Sequence, residues 1–157
     1  PPLFSRFYLR QMTAEQLYES LLAATEADAT VDQEKRDAMK ERWLAQFSTA
    51  FGNDEGTEAT TFNGSIPQAL TLMNGDLIRR ACSTDSGSFL DRVANAPDLS
   101  SREKIDYLYR AALGRVPTKE ERNACNQLLV ARDGDTAQTL QDVWRAVLNS
   151  NEFILVH

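Results

Sequence analysis

The sequence predicts an all-α fold, an irregular orthogonal bundle of about seven helices. Three observations lead to this prediction: helix-capping signatures recur, apolar residues recur at steps of three and four, and strand-like alternation is nearly absent. A chain of 157 residues suits one domain, predicted to span residues 1–157, and can bury a core without a metal or a disulfide. Its 42% hydrophobic and 25% charged residues are ordinary for a globular protein.

The first two helices are predicted from their caps and apolar stripes. Thr13 and Gln16 form a capping-box signature, and Asp32 is the predicted cap of the second helix. Gly52 is the residue type expected to end that second helix. The predicted inward positions are Leu17, Leu21 and Ala24 in the first helix and Met39, Trp43, Leu44, Phe47 and Phe51 in the second.

A third helix is predicted within the stretch "TFNGSIPQALTLMNG", residues 61–75. Ser65 and Gln68 form a capping box, and Pro67 fits the first helical turn. A hairpin is disfavoured because Pro67 would interrupt a strand ladder. The first Asn-Gly pair is therefore interpreted as a turn after the irregular residues 53–64. The second pair is interpreted as the point where the helix kinks or restarts before "DLIRRAC".

Four more helices are predicted after residue 86. Two of them begin at capping boxes, Ser100 with Glu103 and Thr118 with Glu121. Gly114 ends the first of this pair, and "RDGD" at 132–135 turns the chain after the second. The final helix is expected to fray at "NSNEF". The predicted inward positions are Phe89, Leu90, Val93, Ile105, Leu108, Tyr109, Ala112, Cys125, Leu128, Leu129, Leu140, Val143, Trp144, Val147 and Leu148.

Charge and hydropathy exclude two classes of partner. The formal net charge of −6 argues against a nucleic-acid binder or a protein of anionic membrane surfaces, which would carry a clustered basic face. No apolar run approaches 18 residues, so no membrane insertion is predicted.

The chain begins at Pro1 without an initiator Met, and we expect it to be the C-terminal fragment of a larger protein.

Cysteine and histidine usage excludes several site types. Cys82 and Cys125 belong to no C-x-x-C or C-x-x-C-H pattern, so neither covalent haem nor a zinc knuckle is predicted. Two buried free thiols are favoured, with one disulfide as the alternative. His157 is the only histidine, which excludes a conventional catalytic triad and any metal site built on two histidines. No catalytic residue, cofactor or metal ligand is therefore predicted.

Five residues remain as candidates for an interaction or an interdomain site. Asp54, Glu55 and Glu58 lie in an acidic loop that could serve acid–base chemistry or bind calcium, although their spacing fits no EF-hand and a solvated loop is favoured. His157 is interpreted as a plain terminal residue, with a ligand role toward a neighbouring domain as the alternative.

Arg115 in "GRVPT" is the fifth candidate. Its favoured role is structural: its guanidinium would bind exposed carbonyls at a helix end or the carboxylates of Glu120 and Glu121. A ligand-binding arginine is the alternative.

Four stretches in order resemble a known family: "RQMTAEQLYESLLAAT", "TTFNGSIPQALTLMNGDLI", "IDYLYRAALGRVPTKEE" and "LQDVWRAVLNSNEFILVH". They look like the planctomycete-type domain of unknown function found at the C-terminus of large exported proteins, often alongside a cytochrome c-like domain with a C-x-x-C-H motif. The resemblance covers residues 5–157. Family segments commonly end in Asn-His, whereas this chain has Val156 before His157. Residues 105–153 are also similar to a broader "GR-x-P-[ST]…S-x-EF" unit of bacterial surface proteins and phycobilisome linkers.

The resemblance implies an extracytoplasmic bacterial protein and supplies no catalytic residues. Because the haem motif is missing here, any redox role would belong to another part of the protein. The predicted function is a helical C-terminal module with a structural or interaction role, packing against a neighbouring domain of the same chain or a protein partner. The alternative is part of an enzyme whose site a missing N-terminal domain completes, with Asp54, Glu55, Glu58 or His157 facing the cleft.

Overall fold

The computed structural model of the protein describes residues 10–27, 31–51 and 75–156. Within these residues the chain forms eight helices and one two-residue strand pair. The helices are α1 (Ala14–Thr25), α2 (Gln33–Phe51), α3 (Asp76–Ala81), α4 (Phe89–Ala94), α5 (Ser101–Leu113), α6 (Lys119–Ala131), α7 (Thr136–Leu148) and α8 (Asn151–Ile154). The strands are β1 (Arg10–Gln11) and β2 (Leu155–Val156). The all-α prediction is thus confirmed, while the orthogonal arrangement of the helices stays a prediction.

Capping fixes where the helices begin, as the sequence predicted. At Ser100 the hydroxyl accepts from the Glu103 N–H, and the Glu103 carboxylate accepts from the Ser100 N–H. The same reciprocal pair forms at Thr118 with Glu121, and at Thr13 with Gln16. Each box satisfies backbone donors that the first helical turn leaves without partners. The predicted box at Ser65 and Gln68 lies outside the described residues.

Turns between helices also follow the sequence. Gly114 ends α5 with φ of 68°, a left-handed conformation that glycine adopts without steric cost. Helix α3 begins at Asp76, directly after Gly75. The predicted kink or restart at the second Asn-Gly pair stays a prediction, because the helix expected before it lies outside the described residues. In the "RDGD" turn, Asp133 and Gly134 both have positive φ, and the Asp135 carboxylate caps α7 by accepting from the Gln138 N–H.

The core is one cluster centred on α7. This helix packs against α4, α5, α6 and α8, while α1 packs against α2, α3 and α5. Trp144 is fully buried, and its ring packs against that of Phe89 in a tilted arrangement with centroids 5.0 Å apart. The Trp144 Nε1–H donates to the Ala81 carbonyl at 3.1 Å. The buried side chains include Leu17, Leu21, Trp43, Leu77, Phe89, Leu90, Val93, Ile105, Leu108, Tyr109, Cys125, Leu140, Val143, Val147 and Leu148.

Some predicted inward positions are less buried than expected. Met39, Leu44, Ala112 and Leu128 are only partly buried, although they pack against the core cluster, and Leu129 is also only partly buried. Gly52 and the side chains of Phe47 and Phe51 lie outside the described part of the structure.

The predicted fraying of "NSNEF" is wrong. After α7 ends at Leu148, the Ser150 carbonyl and hydroxyl accept from the N–H groups of residues 153 and 154 and start the short helix α8. Phe153 and Ile154 are buried in the core, which stabilises a single turn that would not form alone. The chain then continues as β2, which pairs antiparallel with β1.

Candidate functional site

Arg115 is the centre of the densest group of charged contacts in the described structure. Its Nη1 and Nη2 each donate to one Glu121 oxygen at 2.8 Å, and its Nε and Nη2 donate to the two Glu152 oxygens at 2.7 and 2.6 Å. Nη1 also donates to the Val116 carbonyl at 3.1 Å. The predicted structural role of Arg115 is confirmed for Glu121. Glu152 was not predicted as a partner, and it lies on α8, 37 residues further along the chain.

Tyr109 completes what we call the Arg115 cluster: Arg115, Glu121, Glu152 and Tyr109. The guanidinium carbon lies 5.6 Å from the centroid of the buried Tyr109 ring, within cation–π range. Each member thus comes from a different element: Tyr109 from α5, Glu121 from α6, Glu152 from α8 and Arg115 from the loop between α5 and α6. The cluster therefore joins three helices.

The electrostatics of the cluster follow from these contacts. Hydrogen bonds from Arg115 lower the pKa of Glu121 to about 2, and the same pairing with Glu121 and Glu152 raises the pKa of Arg115. Burial raises the pKa of Tyr109 to about 12. The side chains of Arg115, Glu121 and Glu152 are about one-third exposed, so water screens the attraction between them. These ionised groups satisfy one another, which is the arrangement of a structural junction.

A groove lies beside the cluster, between α1 and α5, and has a volume of about 370 Å³. Helix α1 contributes one wall, formed by Ser20, Ala23 and Ala24, and α5 contributes the other, formed by Ala111, Ala112 and Leu113. The groove is also lined by Met12, Glu152 and Phe153. We call this the α1–α5 groove. Ala23 and Ala111 are exposed, and their small side chains leave the helix backbones accessible to a partner. On α5, the half-exposed Tyr107 does not line the groove, and its ring stacks on Phe89 of α4 with centroids 6.1 Å apart.

A second depression, of about 590 Å³, lies over the turn between α6 and α7. Two of the polar groups around it are engaged within the fold. Asp135 caps α7, and Arg132 donates to Asp142 and Gln138. The "RDGD" stretch is therefore a turn, as predicted, whose side chains hold α6 and α7 together.

The other candidate residues fall outside these sites. Asp54, Glu55, Glu58 and His157 lie outside the described residues, so the interdomain role predicted for them stays a prediction. Within the described ranges, no group of three His, Cys, Asp or Glu side chains is placed to hold a metal ion. Of the helices described, none is both long and apolar enough to cross a bilayer.

Both cysteines are buried and unbonded, which confirms the prediction of two free thiols. Burial raises the pKa of the Cys82 thiol to about 11, and it also raises the pKa of Cys125. Since the thiolate is the reactive form, we expect both cysteines to react slowly with a thiol reagent at pH 8 in the native protein and rapidly in 8 M urea. Labelling followed by mass spectrometry measures both rates. A native cysteine that reacts as fast as free cysteine would contradict the burial.

In comparisons with known proteins, no family model, no curated protein and no solved structure matches the chain. The resemblance stated from the sequence motifs therefore stays an expectation.

Proposed function

We propose that this chain is a helical C-terminal module of an exported bacterial multidomain protein, with a structural or interaction role. It acts by packing the α1–α5 groove against a neighbouring domain of the same protein or against a separate protein partner. Export and the bacterial source rest on the family resemblance of the sequence motifs. The interaction role rests on the groove itself, which is the single structural observation that carries the proposal.

Two features of the groove support a protein partner. Its walls are mostly small apolar side chains, which allow a helix or an extended segment to approach closely. Ser20 and Glu152 supply polar groups at the edge, as a polar rim surrounds an apolar interface core.

The state of the charged side chains and thiols in the described structure also favours a structural role. Glu121, Arg115 and Glu152 bind one another, and the thiols of Cys82 and Cys125 are buried and held protonated. The enzyme alternative depends on Asp54, Glu55, Glu58 and His157, and no contact of the described residues favours it.

Site-specific photo-cross-linking tests the proposal. A photoreactive amino acid replaces Ala111 in the groove of the full-length natural protein produced in its host. The same amino acid at Ala124, an exposed alanine of α6 that does not line the groove, is the matched control. We expect one dominant cross-link from position 111 to a defined segment of another domain or partner, and no such product from position 124. Equal cross-linking from both positions, or none from position 111, would reject the proposal. Fractionation of the same cells tests export.

A further inference from the structure

The two ends of the described chain meet on one side of the bundle. Strands β1 and β2 pair antiparallel with Arg10 opposite Val156 and Gln11 opposite Leu155. The Met12 N–H then donates to the Ile154 carbonyl at 3.2 Å. We call the segments 10–12 and 151–156 together the terminal clasp.

The clasp has little local structure to hold it. Helix α8 has four residues, and each strand has two. A single helical turn and a two-stranded ribbon are both marginal in water because each makes few hydrogen bonds for the backbone that it orders. The clasp therefore depends on its contacts with the rest of the bundle.

Two kinds of contact hold the clasp closed. Phe153 and Ile154 insert into the core, with exposed fractions of 4% and 1%. Arg115 holds Glu152 through two hydrogen bonds while its other contacts keep it attached to Glu121 and the Val116 carbonyl. Because Glu121 is fixed in the capping box of α6, Arg115 anchors the clasp to a rigid part of the bundle.

The clasp also limits the α1–α5 groove. Met12, Glu152 and Phe153 all belong to the clasp and all line the groove, whose remaining walls come from α1 and α5. The Ser20 hydroxyl contacts the Met12 sulfur at 3.7 Å, which places Met12 against the α1 wall. Movement of the clasp would therefore open the groove beyond the space seen in the closed structure.

We propose that the terminal clasp is a strap that opens as a unit while α4 to α7 stay folded, and that the Arg115–Glu152 contact keeps it closed over the α1–α5 groove. Opening withdraws Phe153 and Met12 and extends the groove. The strap is a property of the fold and does not depend on the identity of any partner.

Residue-resolved hydrogen exchange of the 157-residue chain tests this proposal. Met12 and Ile154 report on the clasp, because their N–H groups donate to Ile154 and Ser150. Leu108 and Trp144 report on the core. We expect the clasp amides to exchange at least tenfold faster than the core amides. Their exchange rate should also rise less steeply with urea concentration than that of the core amides, because opening exposes only the surface of the clasp.

Two variants separate clasp opening from global unfolding. Glu152→Gln should raise the exchange rates of the Met12 and Ile154 amides three- to tenfold. The exchange rates of the core amides should rise by no more than that factor. Val93→Ala weakens the core at α4, which packs on α7, so it should speed exchange at Leu108 and Trp144 and leave the clasp amides unchanged. Asp142→Asn removes a similar ion pair, made with Arg132, and should also leave the exchange rates of the clasp amides unchanged.

Two results would overturn the strap. If Val93→Ala raises the exchange rates of Met12 and Ile154 by the same factor as that of Leu108, the clasp opens only when the whole chain unfolds. If Glu152→Gln leaves Met12 and Ile154 unchanged, the Arg115 contact does not hold the clasp.

Discussion

Replacement of Trp144 by Ala is expected to lower the free energy of unfolding by about 3–5 kcal/mol, the largest loss for any single side chain considered. Trp144 is fully buried in α7, and its ring packs against that of Phe89. Truncation leaves a cavity where α4, α5 and α7 meet and leaves the Ala81 carbonyl without the indole donor. Urea unfolding followed by circular dichroism measures the loss.

Two control variants bracket this result. Trp144→Phe keeps most of the apolar volume and removes the hydrogen bond to Ala81, so it should cost about 1–3 kcal/mol. Val130→Ala changes a side chain that is 78% exposed and should cost less than about 0.5 kcal/mol. A loss at Trp144→Ala no larger than at Val130→Ala would show that α7 is not the centre of the core.

Replacement of Arg115 by Ala is expected to lower the free energy of unfolding by about 1–3 kcal/mol at pH 7. The change leaves Glu121 and Glu152, both bound to the same guanidinium in the native protein, without a cation between them. Solvent screening weakens these ion pairs, since the side chains are about one-third exposed, and it limits the expected loss. Chemical unfolding at fixed pH measures the loss.

Arg132→Ala is the matched control, because Arg132 pairs with a single carboxylate, Asp142, at the surface between α6 and α7. A single exposed pair of this kind contributes about 0–1 kcal/mol. Equal losses at Arg115 and Arg132 would contradict the junction role of Arg115.

The contribution of Arg115 should also depend on pH. The pKa of Glu121 is about 2 in the folded protein against an ordinary value of 4.5. A carboxylate whose folded pKa is depressed stabilises the fold above its unfolded pKa, and this stability is lost as the pH falls through the folded value. The stability difference between the parent and Arg115→Ala should therefore be full above pH 5 and shrink as the pH falls toward 2. A difference that stays constant over this range would contradict the pairing with Glu121.

Local sequence signals predicted most of the described fold. The capping boxes at Thr13, Ser100 and Thr118 each need residues only three positions apart, and the helices begin there. The apolar stripe of α7, including Trp144, is likewise a local pattern, and it became the centre of the core. Signals of this kind lie within one to a few consecutive helical turns, which explains why they can be read without the tertiary structure.

The candidate site could be predicted only in part, because it depends on contacts between distant residues. Arg115 and its neighbour Glu121 are six positions apart, and that pairing was anticipated. Its pairing with Glu152 needs α8 to fold back against the loop after α5, which no local pattern encodes.

The terminal clasp and the α1–α5 groove were missed for the same reason. Two-residue strands show no alternation, so β1 and β2 carry no readable period. The groove is made by residues that individually look unremarkable, such as Ala23 and Ala111, and it exists only because α1 and α5 lie side by side. Burial of Phe153 and Ile154 converted an expected frayed end into ordered structure.

The most direct test of the interaction role compares backbone hydrogen exchange in this chain alone with exchange of the same residues inside the full-length natural protein. The account predicts at least tenfold slower exchange in the full-length protein for peptides from α1 and α5 that line the groove, with peptides from α6 unchanged. Ala111→Arg, which places a large side chain in the groove, should abolish that difference, whereas Ala124→Arg should preserve it. Identical exchange of the α1 and α5 peptides in the two forms would contradict the account.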